Sequence, residues 1–181
     1  MNKAYRFLLT VNATSLLLIV FMVQKGYTLG HFFAQYAFIT ELPNAVSYGF
    51  YLTIPVLLTK FSLFLSQFLG KDSFEIGHVT GIEHANNSFL PSYLGYFFVA
   101  LSVGNCETLW FVYGVLFVFT FRSQALYFNP LFLLFGFDFY TIKTVNGASI
   151  FLISKNKYKT PAEIDIPVAY RINNHTYLEK I

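Results

Sequence analysis

The stretch Tyr127–Lys157, "YFNPLFLLFGFDFYTIKTVNGASIFLISKNK", begins as sequence that lipid would accept and ends as sequence that a sheet would accept. From Leu126 to Phe137 the apolar run lasts only about a dozen residues, against the roughly 20 a helix needs to cross a bilayer. Asn129-Pro130 interrupts it, Gly136 bends it and Asp138 closes it. The run is therefore read as lying along the cytoplasmic boundary or packing beneath a bundle. Beyond it, "FDFYTIKTV" and "ASIFLISK" are rich in β-branched and aromatic residues. They flank Asn146-Gly147, a pair that tolerates the positive φ of a tight hairpin turn. Next, "EIDIPVAYRI" places Ile164, Ile166, Val168, Tyr170 and Ile172 in alternation, which predicts one face of a strand. "HTYLEKI" could supply another short strand. The tail reads as a small antiparallel β domain of about 45 residues, too small to stand alone. It must lean on helices, on copies of itself or on a partner.

The rest of the chain explains what it leans on. The 181 residues are 55% hydrophobic and 12% charged, with a mean hydropathy of +0.53. Soluble domains carry about 25% charge, so this composition points to an integral membrane protein. The 23 Phe and 13 Tyr suit lipid contact and interfacial belts. A net charge of +3 is too small to imply nucleic-acid binding. One cysteine, Cys106, excludes an intrachain disulfide and a cysteine-based metal site.

Four spans are expected. The first covers about Phe7 to Val23, uncleaved and carrying Thr10, Asn12, Thr14 and Ser15. Asn12 is costly against lipid, so it should face another helix and hydrogen-bond there. Gly26 to Asn44 reads as a loop with a short helix at the membrane surface. The second span covers about Ala45 to Leu69, with Pro55 as a kink site and Lys60 as its one basic residue. Lys60 either snorkels to the interface or faces a bundle axis as a functional charge. Lys71 to Asn87 is a polar loop. The third and fourth spans, about Ser88 to Val103 and Thr108 to Phe121, are short and joined by the "GNCE" turn; two full spans are the preferred reading and a two-helix re-entrant hairpin the alternative. Basic residues collect at Lys3, Arg6, Lys71, Arg122 and the tail, so both termini are expected in the cytoplasm. The division is then 1–125, a four-helix transmembrane domain, and 126–181, an interfacial linker with the cytoplasmic β domain.

No catalytic, cofactor or metal residue is assigned. His78, Glu83 and His84 share one loop but lack further ligands, and no phosphate loop, nucleophile elbow or zinc-protease helix appears. Asn12, Ser15 and Lys60 are the candidate intramembrane or oligomer contacts. Lys143, Lys155, Lys157, Lys159 and Arg171 are the candidates for a membrane surface or an acidic partner, each lysine near anionic headgroups contributing about 1 kcal/mol.

Four spans, then "FNPLFLLFGFDFY", an Asn-Gly hairpin, "LISKNK" and a β tail ending "YLEKI" form an order of features. That order resembles the KwaA family, the membrane subunits of the Kiwa anti-phage defence system, over the whole chain. The resemblance implies a non-enzymatic inner-membrane protein that forms a homo-oligomer, a tetramer. It implies sensing of phage attack at the envelope and a cytoplasmic DNA-binding partner, KwaB, with no direct contact of this chain with nucleic acid. The alternative is a small oligomeric channel or transporter subunit built on Asn12, Pro55 and Lys60. A third reading is a membrane enzyme using the His78 to His84 loop.

Overall fold

The computed structural model describes residues 2–88, 90–123 and 129–180. The first part of the opening apolar run, residues 124–128, lies outside them. Four main helices lead. Helix α1 is Asn2–Gln24, α4 is Asn44–Ser66, α5 is Leu90–Ser102 and α6 is Cys106–Ser123. Between α1 and α4 the chain makes two short turns of helix, α2 (Leu29–Phe32) and α3 (Ala37–Thr40). Helix α4 runs on through Pro55. Among the described residues two helices, α1 and α4, are long and apolar enough to cross a membrane, against the four spans expected. At 1.5 Å per residue each reaches about 34 Å, α6 about 27 Å and α5 about 20 Å.

Small and polar side chains are buried where the helices meet, beside Leu9, Leu17 and Phe21 of α1, and many large apolar side chains lie outside. Thr10, Asn12, Ala13, Thr59 and Ser62 are fully covered, whereas Leu57 and Phe64 of α4 and Phe111 and Phe119 of α6 are more than 60% exposed. A water-soluble bundle would show the reverse pattern. Helix α1 is central and packs on α4, α5 and α6. Its first turns meet the end of α6, where Arg6 Nη2 donates to Phe121 O at 3.1 Å. Its last turn meets the α5–α6 connection, where Lys25 Nζ donates to Gly104 O at 2.5 Å.

The sheet is larger than the tail. Its strands are β1 (Gly70–Phe74), β2 (Val79–His84), β3 (Asp138–Thr144), β4 (Ser149–Ser154), β5 (Ile166–Arg171) and β6 (Thr176–Glu179). They are ordered β1-β5-β6-β4-β3-β2. The stretch read as a polar loop, Lys71 to Asn87, thus supplies both edge strands. The sheet is also mixed rather than wholly antiparallel, because β4 and β6 run parallel. The reason is topological: β5 is inserted between β6 and β1, so β6 returns in the direction of β4.

Phe74 and Val79 lie on opposite edges, yet five Cα steps join them. Five steps reach at most about 19 Å. The edges of a flat six-stranded sheet would stand about 24 Å apart. The sheet must therefore curl. Inside the curl lie Phe74, Tyr140, Ile142, Leu152, Ile164 and Ile166. The other face, with Phe139, Ile153, Tyr170 and Leu178, packs against Tyr5, Leu9 and Leu69 of the bundle.

Alternation in "EIDIPVAYRI" predicted one face, and the structure divides it. Ile164 and Ile166 enter the curl, whereas Tyr170 and Ile172 face the bundle. Opposite Asp72 and Phe74 of β1 stand Ala169 and Ile166, so β5 carries an extra residue there. A bulge flips the side-chain faces and accommodates Pro167, which has no amide to donate. The Asn146-Gly147 hairpin forms between β3 and β4, with Gly147 at φ +76°.

Candidate functional site: a buried polar junction

The junction between bundle and sheet is built by the stretch after α6. A single turn, α7 (Leu131–Leu134), sits against α4 and buries Leu131 and Phe132. Phe132 then contacts Phe137 and Phe139, the residues that lead into β3. Asn129 opens this turn. Its Oδ1 accepts from Leu131 N at 3.0 Å, two residues on, which closes an Asx turn ahead of α7. Its Nδ2 donates to Thr59 Oγ1 at 2.8 Å, within the bundle.

Thr59 Oγ1 in turn donates to Pro55 O at 2.7 Å. The Asn12 side chain lies at the same point. Its oxygen and its nitrogen both find partners when the oxygen accepts from Asn129 Nδ2 at 2.7 Å and the nitrogen donates to Pro55 O at 3.1 Å. Asn12 and Thr59 are completely buried and Asn129 is 1% exposed. Seven residues up α4 from its sheet-side end, this places Asn129 roughly 10 Å into the bundle. One turn nearer the sheet, Tyr5 Oη donates to Ser62 O at 3.0 Å. An unpaired amide so enclosed would cost about 1–3 kcal/mol, so the four groups hold one another in register.

Of the residues singled out in the sequence, Asn12 is at the centre of this junction. Ser15 Oγ donates to the Asn12 carbonyl within its own helix. Lys60, next to Thr59, is exposed on the outer side of α4. Thr59 and Asn129 were missed. Thr59 looks like any small residue in an apolar helix, and Asn129 looked like a helix breaker beside Pro130. The one available signal was that an Asn-Pro inside an apolar run leaves an amide that must find a partner.

The basic candidates do not converge. Lys143 is exposed on β3 and Arg171 on β5. Three strand spacings separate those strands, about 14 Å. Arg171 Nη1 lies 3.7 Å from Asp72 Oδ2. Lys155, Lys157 and Lys159 are exposed, and the side chains of Asn156 and Tyr158 between them bond back to the sheet. Asn156 Nδ2 and Tyr158 Oη donate to Glu179 Oε1 at 2.7 and 2.9 Å. Ser154 Oγ bonds the other oxygen. This carboxylate is 7% exposed, and its three neutral donors fix the lysine turn to the sheet. Burial pushes the Tyr158 hydroxyl up to about 12, and the Glu179 charge adds to the effect. Lys155 Nζ stacks over Phe137, 5.1 Å from the ring centre.

His78, Glu83 and His84 part company, with His78 in the β1–β2 link and the others on β2. His84 Nε2 is 3.8 Å from Asp138 Oδ1. Among the described residues no three His, Cys, Asp or Glu side chains are grouped to hold a metal.

A bundle with two helices long and apolar enough to cross a membrane, fastened through a buried amide network to a curled mixed sheet, defines an α+β protein. The chain belongs to the family of anti-phage protein KwaA, whose family model matches residues 5–178. No curated protein and no solved structure matches the chain. Its role is in anti-phage defence.

Proposed function

We propose that this protein is a sensor and scaffold of the Kiwa system in the bacterial inner membrane, with four spans and both termini in the cytoplasm. A disturbance of the envelope shifts the packing of the bundle. The sheet carries that shift to a cytoplasmic DNA-binding effector, the KwaB partner that the family resemblance implies. Copies of the chain associate through the bundle, as a tetramer on the same resemblance, and no reaction is assigned to it.

The observation that carries this reading is the Asn129 contact with Thr59 and Asn12. A polypeptide that enters the bundle and leaves as β3 cannot stay indifferent to how α1 and α4 pack. The topology has support of its own. Strands β1 and β2 share a sheet with β3 to β6, which puts residues 70–84 on the same side as the tail. The start of α1 and the end of α6 meet at that side too. Of the 12 Lys and Arg, only Lys25 lies at the far end and only Lys60 along a span. That is the charge bias of a cytoplasmic face.

Two variants test the two halves. Asn129→Ala should insert, express and capture the partner, yet protect cells from phage poorly; full protection would remove the sensing half. Charge reversal at Lys157 and Lys159 should leave insertion intact and abolish capture of the effector. Undiminished capture would remove those lysines as the docking surface.

A further inference from the structure

The segment between α1 and α4 has the properties of an element made to lie in a bilayer surface. Helices α2 and α3 bury no residue. Phe32, Phe33 and Tyr36 are about half exposed and Phe38 is 77% exposed. From Gly26 to Thr40 there is no Lys, Arg, Asp or Glu. A loop bathed in water has no physical reason to display four aromatic rings without a charge among them.

The segment is nonetheless built, not slack. A Cβ on Gly30 would stand 3.0 Å from Thr40 Cα, so α2 and α3 touch backbone to backbone. Leu29 N donates to Ser47 Oγ at 3.0 Å, which hangs the pair on the first turn of α4. Tyr27 stacks on His31 with ring centres 4.9 Å apart, which ties the pair to the end of α1.

Its main-chain hydrogen bonds point to the occupant. Phe33 N donates to Leu29 O, Tyr36 N to Phe33 O, Ile39 N and Thr40 N to Tyr36 O, and Glu41 N to Ala37 O. These N–H groups are bonded within the segment, which lowers the cost of moving them out of water. Its exposed rings continue the exposed apolar side chains Val46 and Phe50 of α4.

We propose that residues 28–41 form an interfacial wedge, seated in the bilayer leaflet opposite the sheet with Phe32, Phe33, Tyr36 and Phe38 among the upper acyl chains. This rests on the membrane reading above and deepens it, because it names the part of the sensor that meets lipid. The wedge lies at the headgroup–acyl boundary, roughly 5–10 Å deep. A change in that leaflet's packing then acts on the ends of both α1 and α4.

The test uses nitroxide labels on single cysteines in the full chain with Cys106→Ser. Phe38→Cys and Phe33→Cys probe the wedge, Phe119→Cys the bundle and Lys157→Cys the sheet. The protein is placed in vesicles of phosphatidylethanolamine and phosphatidylglycerol. Collision with oxygen reports lipid, and collision with a soluble nickel chelate reports water. The expected result is a several-fold higher oxygen-to-nickel ratio at 38, 33 and 119 than at 157. Labels at 38 and 33 as wet as 157 while 119 stays in lipid would overturn the wedge and leave the membrane reading intact. Labels at 38 and 33 shielded from both reagents would assign the face to a protein and overturn it equally. A wet label at 119 would overturn the membrane reading and the wedge with it. All four positions are exposed on the surface, so an unchanged melting temperature identifies folded variants.

Discussion

Asn129 and Thr59 are 70 residues apart in the chain and 2.8 Å apart in space. One belongs to the connection that leads into the sheet and the other to the interior of α4. Their bond, shared with Asn12, makes the bundle and the sheet a single mechanical unit.

That unit is measurable as a coupling. Asn129→Ala and Thr59→Ala should each lower stability by about 1 kcal/mol, within the range of hydrogen bonds between membrane helices. The double variant should lose less than the sum, because the first substitution already breaks the shared bond. Unfolding in detergent, read as a double-mutant cycle, checks it. Strict additivity would mean that the contact carries no energy.

Phe132 is completely buried between the bundle and the sheet face that carries Phe139 and Ile153. Phe132→Ala removes a ring from a filled site and should cost about 3–5 kcal/mol. Phe132→Leu keeps most of the volume and should cost far less. Limited proteolysis should cut near residues 135–138 in the alanine variant before it cuts elsewhere.

Gly77 and Gly147 both adopt positive φ, at +88° and +76°. Neither would meet a neighbour through an added Cβ, so the effect of alanine is purely conformational. Gly147→Ala should cost about 1–2 kcal/mol at the β3–β4 turn. Gly77→Ala should cost a similar amount while loosening the link that holds the sheet's edges close. Hydrogen exchange should then rise in β1 and β2 in the second variant, and in β3 and β4 in the first.

The sheet should lose stability in alkali. Tyr158 has a hydroxyl raised from 10.0 to about 12, chiefly by burial. The folded state therefore holds its proton where the unfolded chain has released it. Stability is undiminished below pH 10 and falls as pH rises through about 12. In Tyr158→Phe that contribution to the alkaline decline should disappear. Denaturation midpoints at pH 9 and pH 11 for both proteins measure the difference.

Much of the architecture was readable from residue order. Helices rich in Phe and Leu, the break at Asp138 and the Asn146-Gly147 turn all declare themselves locally, because helices, apolar runs and tight turns depend on neighbours in sequence. The edge strands did not. "GKDSF" and "VTGIEH" carry little apolar alternation, and their partners Ile166–Arg171 and Asp138–Thr144 lie some 55 to 100 positions away. A weak edge strand is stabilised by a sheet that already exists, so its own sequence need not announce it.

Residue order alone specifies long apolar helices, a basic end and a β-rich tail. Composition and short-range periodicity suffice for that. That residues 70–84 join the tail in one curled sheet, that a bulge at Pro167 divides an apparently uniform strand, and that Asn129 reaches Thr59 and Asn12 emerge only in the folded chain. Each depends on groups distant in sequence being forced together. A buried amide must find a partner wherever the fold provides one, and the order of residues alone does not say where that is.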